Sequence, residues 1–407
     1  VLGCAGNAPG TFRGEAGDLH TRWLNRPSRE TCGSCHSDID FEQGIGHPEM
    51  TTDEFCSYCH QPSGREFGAS ITGAHLVEYK SSALLGVLVD IIDVTNTDPG
   101  QRPIVTFSLS NKWGPLPPSY LSRLRFSLSG PNDDFSFYLQ EDEDLVLPAL
   151  QPSGSNWTYQ FNESLPNDAM GSFSVGVEGR ISGWVLNPES PEEDQISVND
   201  QMQNYIEPFA VTGDMIDPRR QVVDDMKCES CHTNLSLHGG NRHNAGDETG
   251  GYCQTCHMPS ATDEEVREEG DTPQSIDFRY MVHKIHRGAE LENGYVVLGY
   301  RSSVHDYSHV EYPGDLRNCD ACHVDDSYTL PLSSNLEMVE TPRDFFTPMG
   351  PETAACVSCH DSKSAASHAL SNSSDIGEAC ATCHGLSLIH ISEPTRPPVA
   401  SRMPSSA

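Results

Sequence analysis

The sequence predicts irregular and α-helical modules, organised by bound groups more than by side-chain packing, that flank one antiparallel β-sandwich or split-barrel domain. Three observations lead there. A five-residue unit, Cys-x-x-Cys-His, occurs seven times, beginning at Cys32, Cys56, Cys228, Cys253, Cys319, Cys356 and Cys380. Little apolar periodicity of helical or strand type lies between the first two units. Residues 76–212 hold neither cysteine nor histidine and run as short β-type segments broken by turn signals.

Each unit suits covalent attachment of one haem, the two cysteines forming thioethers to the vinyl groups and the adjacent histidine ligating iron. Zinc is the competing reading of Cys/His pairs. It would need the units to combine in fours and leaves the histidine after every pair unexplained. The expectation is therefore a multihaem c-type cytochrome with seven haems c. Attachment falls to Cys32, Cys35, Cys56, Cys59, Cys228, Cys231, Cys253, Cys256, Cys319, Cys322, Cys356, Cys359, Cys380 and Cys383. The proximal histidines are His36, His60, His232, His257, His323, His360 and His384.

Composition agrees. Hydrophobic residues make up 36% of the 407, with 34 Gly and 28 Pro, a deficit that packed macrocycles would offset. Fourteen of the 15 cysteines belong to the units, so few remain for disulfides, and thioether attachment implies assembly outside the cytoplasm. The formal charge of −34 excludes nucleic acid, whose phosphates need a basic face. That charge serves solubility, and its field favours cationic partners such as metal ions or basic cytochromes. No apolar run approaches the roughly 18 residues of a transmembrane helix, and no signal peptide is visible after Val1.

Taken in order, Val1-Leu2-Gly3-Cys4 resembles the end of a bacterial lipoprotein signal, with Cys4 acylated; a stray cysteine on a truncated chain is the competing reading. Residues 1–75 are expected to be the end of a first multihaem module carrying two haems, its units starting 24 residues apart. Residues 76–212 are expected to form the β domain. Its strand candidates are Leu84–Val94, Ile104–Leu109, Leu124–Leu128, Phe135–Leu139, Trp157–Phe161, Phe173–Val177 and Tyr205–Val211. The acidic run Glu141-Asp142-Glu143-Asp144 is expected in a solvated loop, with calcium binding as the sharper alternative. Residues 213–385 are expected to form a second, pentahaem module, whose last two units again start 24 residues apart, as in an internal repeat. Its clear helix signal is Ile276–His286, with His283 and His286 on one face. Residues 386–407 match the translation of a library-sequencing adapter and are excluded from function, His390 included.

The sixth iron ligand decides the chemistry, since a second histidine closes the metal for electron transfer and an open position admits substrate. Ten further histidines precede residue 386. The preferred distal set is His47, His75, His238, His283, His286, His305 and His368, with His309 competing with His305. His20 and His243 look more like surface residues. Which distal histidine serves which haem does not follow from the sequence.

Several stretches carry a resemblance. Leu237-His238-Gly239-Gly240-Asn241-Arg242, Tyr280-Met281-Val282-His283-Lys284-Ile285-His286-Arg287-Gly288 and Val304-His305-Asp306-Tyr307-Ser308 lead to Asn318-Cys319-Asp320-Ala321-Cys322-His323. With Arg26-Pro27-Ser28-Arg29 and Gly44-Ile45-Gly46-His47, they resemble the OmcA/MtrC family of outer-membrane decahaem cytochromes. The resemblance implies two β domains alternating with two pentahaem modules at the cell surface, or released. It implies electron transfer from a transmembrane porin–cytochrome conduit, or periplasmic or outer-membrane cytochromes, to metal oxides, soluble metal ions, flavins or partner cytochromes. Seven units where the family has ten suggest a fragment, with a true short homologue anchored through Cys4 as the alternative. On the repeat, a histidine equivalent to His75 would lie beyond residue 385.

The function expected is extracellular electron transfer through bis-histidine haems, a carrier more than a substrate-specific enzyme, with terminal metal reduction as its enzymatic form. A nitrite or sulfur-oxyanion reductase is the first alternative; every unit here ends in histidine, whereas such enzymes often replace one by lysine. A cytochrome-filament subunit is the second.

Overall fold

Among the residues that the computed structural model describes (22–190, 194–213, 215–232, 235–374 and 376–385), ten strands lie between Leu88 and Ala210. They are β1 (Leu88–Thr95), β2 (Ile104–Asn111), β3 (Gly114–Pro115), β4 (Leu121–Gly130), β5 (Phe137–Gln140), β6 (Gln151–Ser153), β7 (Asn156–Gln160), β8 (Ser172–Leu186), β9 (Gln195–Gln201) and β10 (Tyr205–Ala210). One antiparallel sheet runs β1-β2-β7-β6 with β3 paired to β2; the other runs β10-β8-β4-β5 with β9 paired to β8. Every strand candidate named from the sequence overlaps one of these strands. The polar β9 escaped notice because Gln-Ile-Ser-Val-Asn-Asp-Gln offers no run of apolar residues; it forms by pairing to the second half of β8.

Period-two alternation places Val105, Phe107 and Leu109 of β2, Leu124, Phe126 and Leu128 of β4 and Phe173, Val175 and Val177 of β8 in one core. Phe126 sits at its centre, stacked on Tyr159 with ring centroids 5.4 Å apart and edge-on to Phe107 at 5.2 Å. The other face of β8 is buried too. Ser174, Gly176 and Glu178 alternate with the core residues and are covered, and the Tyr252 ring lies over Gly176, where a Cβ would come within 2.7 Å of it.

The acidic run is not a solvated loop. Glu141 is buried and accepts from the Tyr159 hydroxyl, at 2.5 Å, and from the Asn162 backbone N–H at 3.0 Å. Asp142 caps a helix, Glu143–Ala149, by accepting from the Asp144 N–H. Four adjacent acids thus divide between a buried network, a cap and a first helical turn, where negative charge is favoured. Among the described residues no group of three or more His, Cys, Asp or Glu is arranged to hold a metal ion, so nothing supports the calcium alternative.

Contacts divide the chain into two compact units, Val1–Cys256 and His257–Ala407. In the second, Tyr280, Tyr295, Val297, Val339, Met349, Ala354 and Val357 form a small core. The expected helix begins two residues later than its apolar pattern, at Phe278–Arg287, because Asp277 caps it through the Tyr280 N–H. A helix that the sequence did not announce, Lys363–Ser371, carries His368 and is capped by Ser362, whose hydroxyl accepts from Ala365 N–H at 3.2 Å. Replacing Ser362 by alanine is expected to cost about 1 kcal/mol of local stability, seen as faster amide exchange across the helix; unchanged exchange would count against the cap. No helix among the described residues is long and apolar enough to cross a membrane.

Candidate haem sites

The Cys-x-x-Cys-His units fold as single helical turns. The histidine N–H returns to the carbonyl of the first cysteine at 2.9 Å in the units of His36, His232, His323 and His384, and at 3.0 Å in those of His60 and His360. One turn brings residues three apart onto a common side, so both sulfurs can meet one macrocycle with the histidine beside them. Ser28 and Asp224 cap the turns at Cys32 and Cys228. In the first unit of the fold, Cys253 and Cys256 lie on the helix Tyr252–Cys256.

Four proximal histidines face a second histidine. Ring centroids are 6.1 Å apart for His36 and His75, for His60 and His47, and for His323 and His283, and 6.0 Å apart for His384 and His368. Imidazoles on opposite sides of one metal, each nitrogen about 2 Å from it, would place their centroids about 6 Å apart. The separation fits one iron between each pair. Haem therefore fits these residues. In both modules the second unit of the 24-spaced pair faces the histidine lying between the two units, His47 for His60 and His368 for His384.

The outer nitrogens are held as metal ligation requires. Nδ1 of His47, His60, His75, His257 and His286 faces the carbonyls of Pro48, Ala69, Ile71, Ile276 and Val282 at 2.7–3.0 Å. Nδ1 of His323 faces the Ser327 hydroxyl at 3.1 Å. Donating Nδ1–H to a carbonyl leaves the Nε2 lone pair for the metal and fixes the ring's orientation. Burial, with His323 and His286 nearby, pushes His283 down to about 4, so its ring is neutral near pH 7. The sequence concealed these carbonyl partners, because every residue carries one.

The remaining expected ligands are placed as follows. His232 and His360 close their helical turns, and His286 also meets Tyr312 edge-on at 5.8 Å. His238 has φ +53° and is followed by Gly239 and Gly240 at +72° and +78°, a left-handed run that two glycines make accessible. His305 is exposed, with Nε2 3.0 Å from the Ser303 hydroxyl, and His309 is exposed nearby. Cys4, His20 and the adapter-like residues 386–407 lie outside the described residues.

His243 is not the surface residue it resembled. Its Nε2 accepts the Asn204 N–H at 3.0 Å and its own N–H donates to Asn204 Oδ1 at 2.7 Å, a two-point clasp. Burial, aided by Lys80, lowers its pKa from 6.5 to about 4. The unfolded chain therefore takes up a proton that the folded chain refuses, and His243 weakens folding progressively as pH falls from about 6.5 to about 4. Half-buried Asp225, raised from 3.8 to about 6, slopes the other way. The comparison with His243→Gln isolates the histidine: the variant is expected to lose less stability across that window in denaturant titrations, and parallel losses would refute it.

Residues 220–393 match the family described as outer membrane cytochrome MtrC/MtrF-like, domains II/IV. The multiheme cytochrome MtrC of Shewanella baltica (strain OS185) is 21% identical over 288 residues, 64% of this chain and 38% of that protein. The crystal structure of MtrC from Shewanella baltica OS185 aligns at a TM-score of 0.49 and 16% identity, covering 86% of this chain and 57% of that one. This chain thus spans 38% of the length of the curated relative it matches.

Proposed function

We propose that this chain is part of an outer-membrane multihaem cytochrome of the OmcA/MtrC kind and passes electrons outside the cell through seven bis-histidine haems c. The observation that carries the proposal is the set of four histidine pairs at 6.0–6.1 Å, each matched to a Cys-x-x-Cys-His unit. Haem, when bound, supplies one-electron chemistry at iron. The chain's residues do the rest. The cysteines would hold each macrocycle covalently and the paired histidines would both ligate its iron, so that oxidation state would change with little rearrangement. Backbone carbonyls hold the rings in one tautomer. The remaining proximal histidines, His232, His257 and His360, and the distal candidates His238, His286 and His305 are proposed to complete the set.

In this reading residues 1–75 carry two haems, 76–212 form a β domain and 213–385 carry five. The −34 formal charge favours cationic electron acceptors such as metal ions, and basic cytochromes as donors. The partners proposed are a porin–cytochrome conduit in the outer membrane, metal oxides, soluble metals and flavins. The test is to reduce the purified holoprotein and mix it with soluble ferric chelate, ferric oxide or flavin while following the haem bands. Prompt reoxidation with low-spin spectra throughout is expected. Mainly high-spin iron, or steady turnover of nitrite or sulfite, would overturn the reading.

A further inference from the structure

We infer that Glu178, with Arg123, Arg125 and Arg242 around it, sets the reduction potential of the haem attached at Cys253 and Cys256. The inference rests on the haem reading of those cysteines and adds a residue cluster that no motif announces.

Glu178 lies on the second buried face of β8, its side chain wholly shielded from solvent. One carboxylate oxygen accepts from Arg123 at 2.8 Å; the other accepts from Arg242 Nε at 2.8 Å and from the Tyr252 hydroxyl at 3.1 Å. Arg125 stands directly opposite Glu178 on β4, 3.9 Å from its carboxylate. Arg125 and Arg242 converge on the Gln140 side-chain oxygen at 2.7 and 3.3 Å, and Arg123 and Arg125 both pair with Glu143. Three guanidinium groups thus meet two carboxylates, leaving one net positive charge in a largely desolvated cluster.

The cluster reaches the attachment helix Tyr252–Cys256 through the residue that opens it. Tyr252, which donates to Glu178, directly precedes Cys253, and its ring is seated on Gly176. Stability does not explain such an arrangement, since buried ion clusters seldom outperform apolar packing of the same volume. A fixed charge beside a redox centre does: positive charge favours the form that holds the extra electron, and weak screening in the interior lets it act.

The test is potentiometric titration of the holoprotein, resolved by component. Glu178→Gln removes a negative charge and is expected to move one component to higher potential, leaving the others in place. Arg125→Gln removes a positive charge from the partly exposed edge and should move the same component lower. Opposite signs separate a field effect from loosened packing, which would shift both variants alike. Should Glu178→Gln fail to accumulate, Arg125→Gln alone decides: an unmoved component overturns the inference. Intact mass after proteolysis reports whether Cys253 and Cys256 carry haem. Absence of that haem defeats the underlying reading; haem present with unmoved potentials defeats this inference alone.

Discussion

Replacing His75 by alanine is expected to open one iron and no other. His36 would keep its cysteines and its turn but lose the ring 6.1 Å away, so one haem equivalent should become high-spin and bind carbon monoxide when reduced. His47→Ala should do the same to the haem of His60, and the double variant should show two equivalents. The Ile71–Ala74 turn before His75 is capped by Ser70, so the fold is expected to survive loss of the imidazole's bond to the Ile71 carbonyl. Wild-type optical and magnetic spectra in the His75→Ala protein would refute the pairing.

Truncating Phe126 to alanine is expected to act in the opposite sense, on stability and not on iron. The ring is fully buried among Phe107, Tyr159 and Phe161 and lies where the two sheets meet. Its loss should cost about 3–5 kcal/mol by removed burial and the cavity left behind. Denaturant unfolding followed by tryptophan emission should show the β domain melting earlier, with the haem bands unchanged until that transition. A loss below about 1 kcal/mol would mean that the site collapses freely and that Phe126 is not central.

These two predictions divide the molecule as its sequence does. The haem units were legible because attachment chemistry demands fixed spacing: two sulfurs three residues apart and a histidine next to the second. The β domain was legible through alternation, and each of its seven expected segments overlaps a strand. What alternation concealed was the second buried face of β8. Ser174, Gly176 and Glu178 look like a solvated edge in the sequence, yet Tyr252 and Arg242, more than sixty residues away, cover them. The acidic run misled for a related reason, since a carboxylate such as Glu141 reads as exposed until Tyr159 and Asn162 arrive to satisfy it.

The sequence by itself marked the chemistry open to this protein: which cysteines and histidines are spaced to attach and ligate haem, where the β-type segments lie, and that acidic charge dominates. Tertiary structure alone decided the pairings. His36 meets His75 across 39 residues, whereas His60 turns back to His47 across 13, and no local rule orders those choices. The physical reason is that an iron ligand is chosen by distance and direction in space. Covalent spacing controls these within a single helical turn, but packing sets them everywhere else.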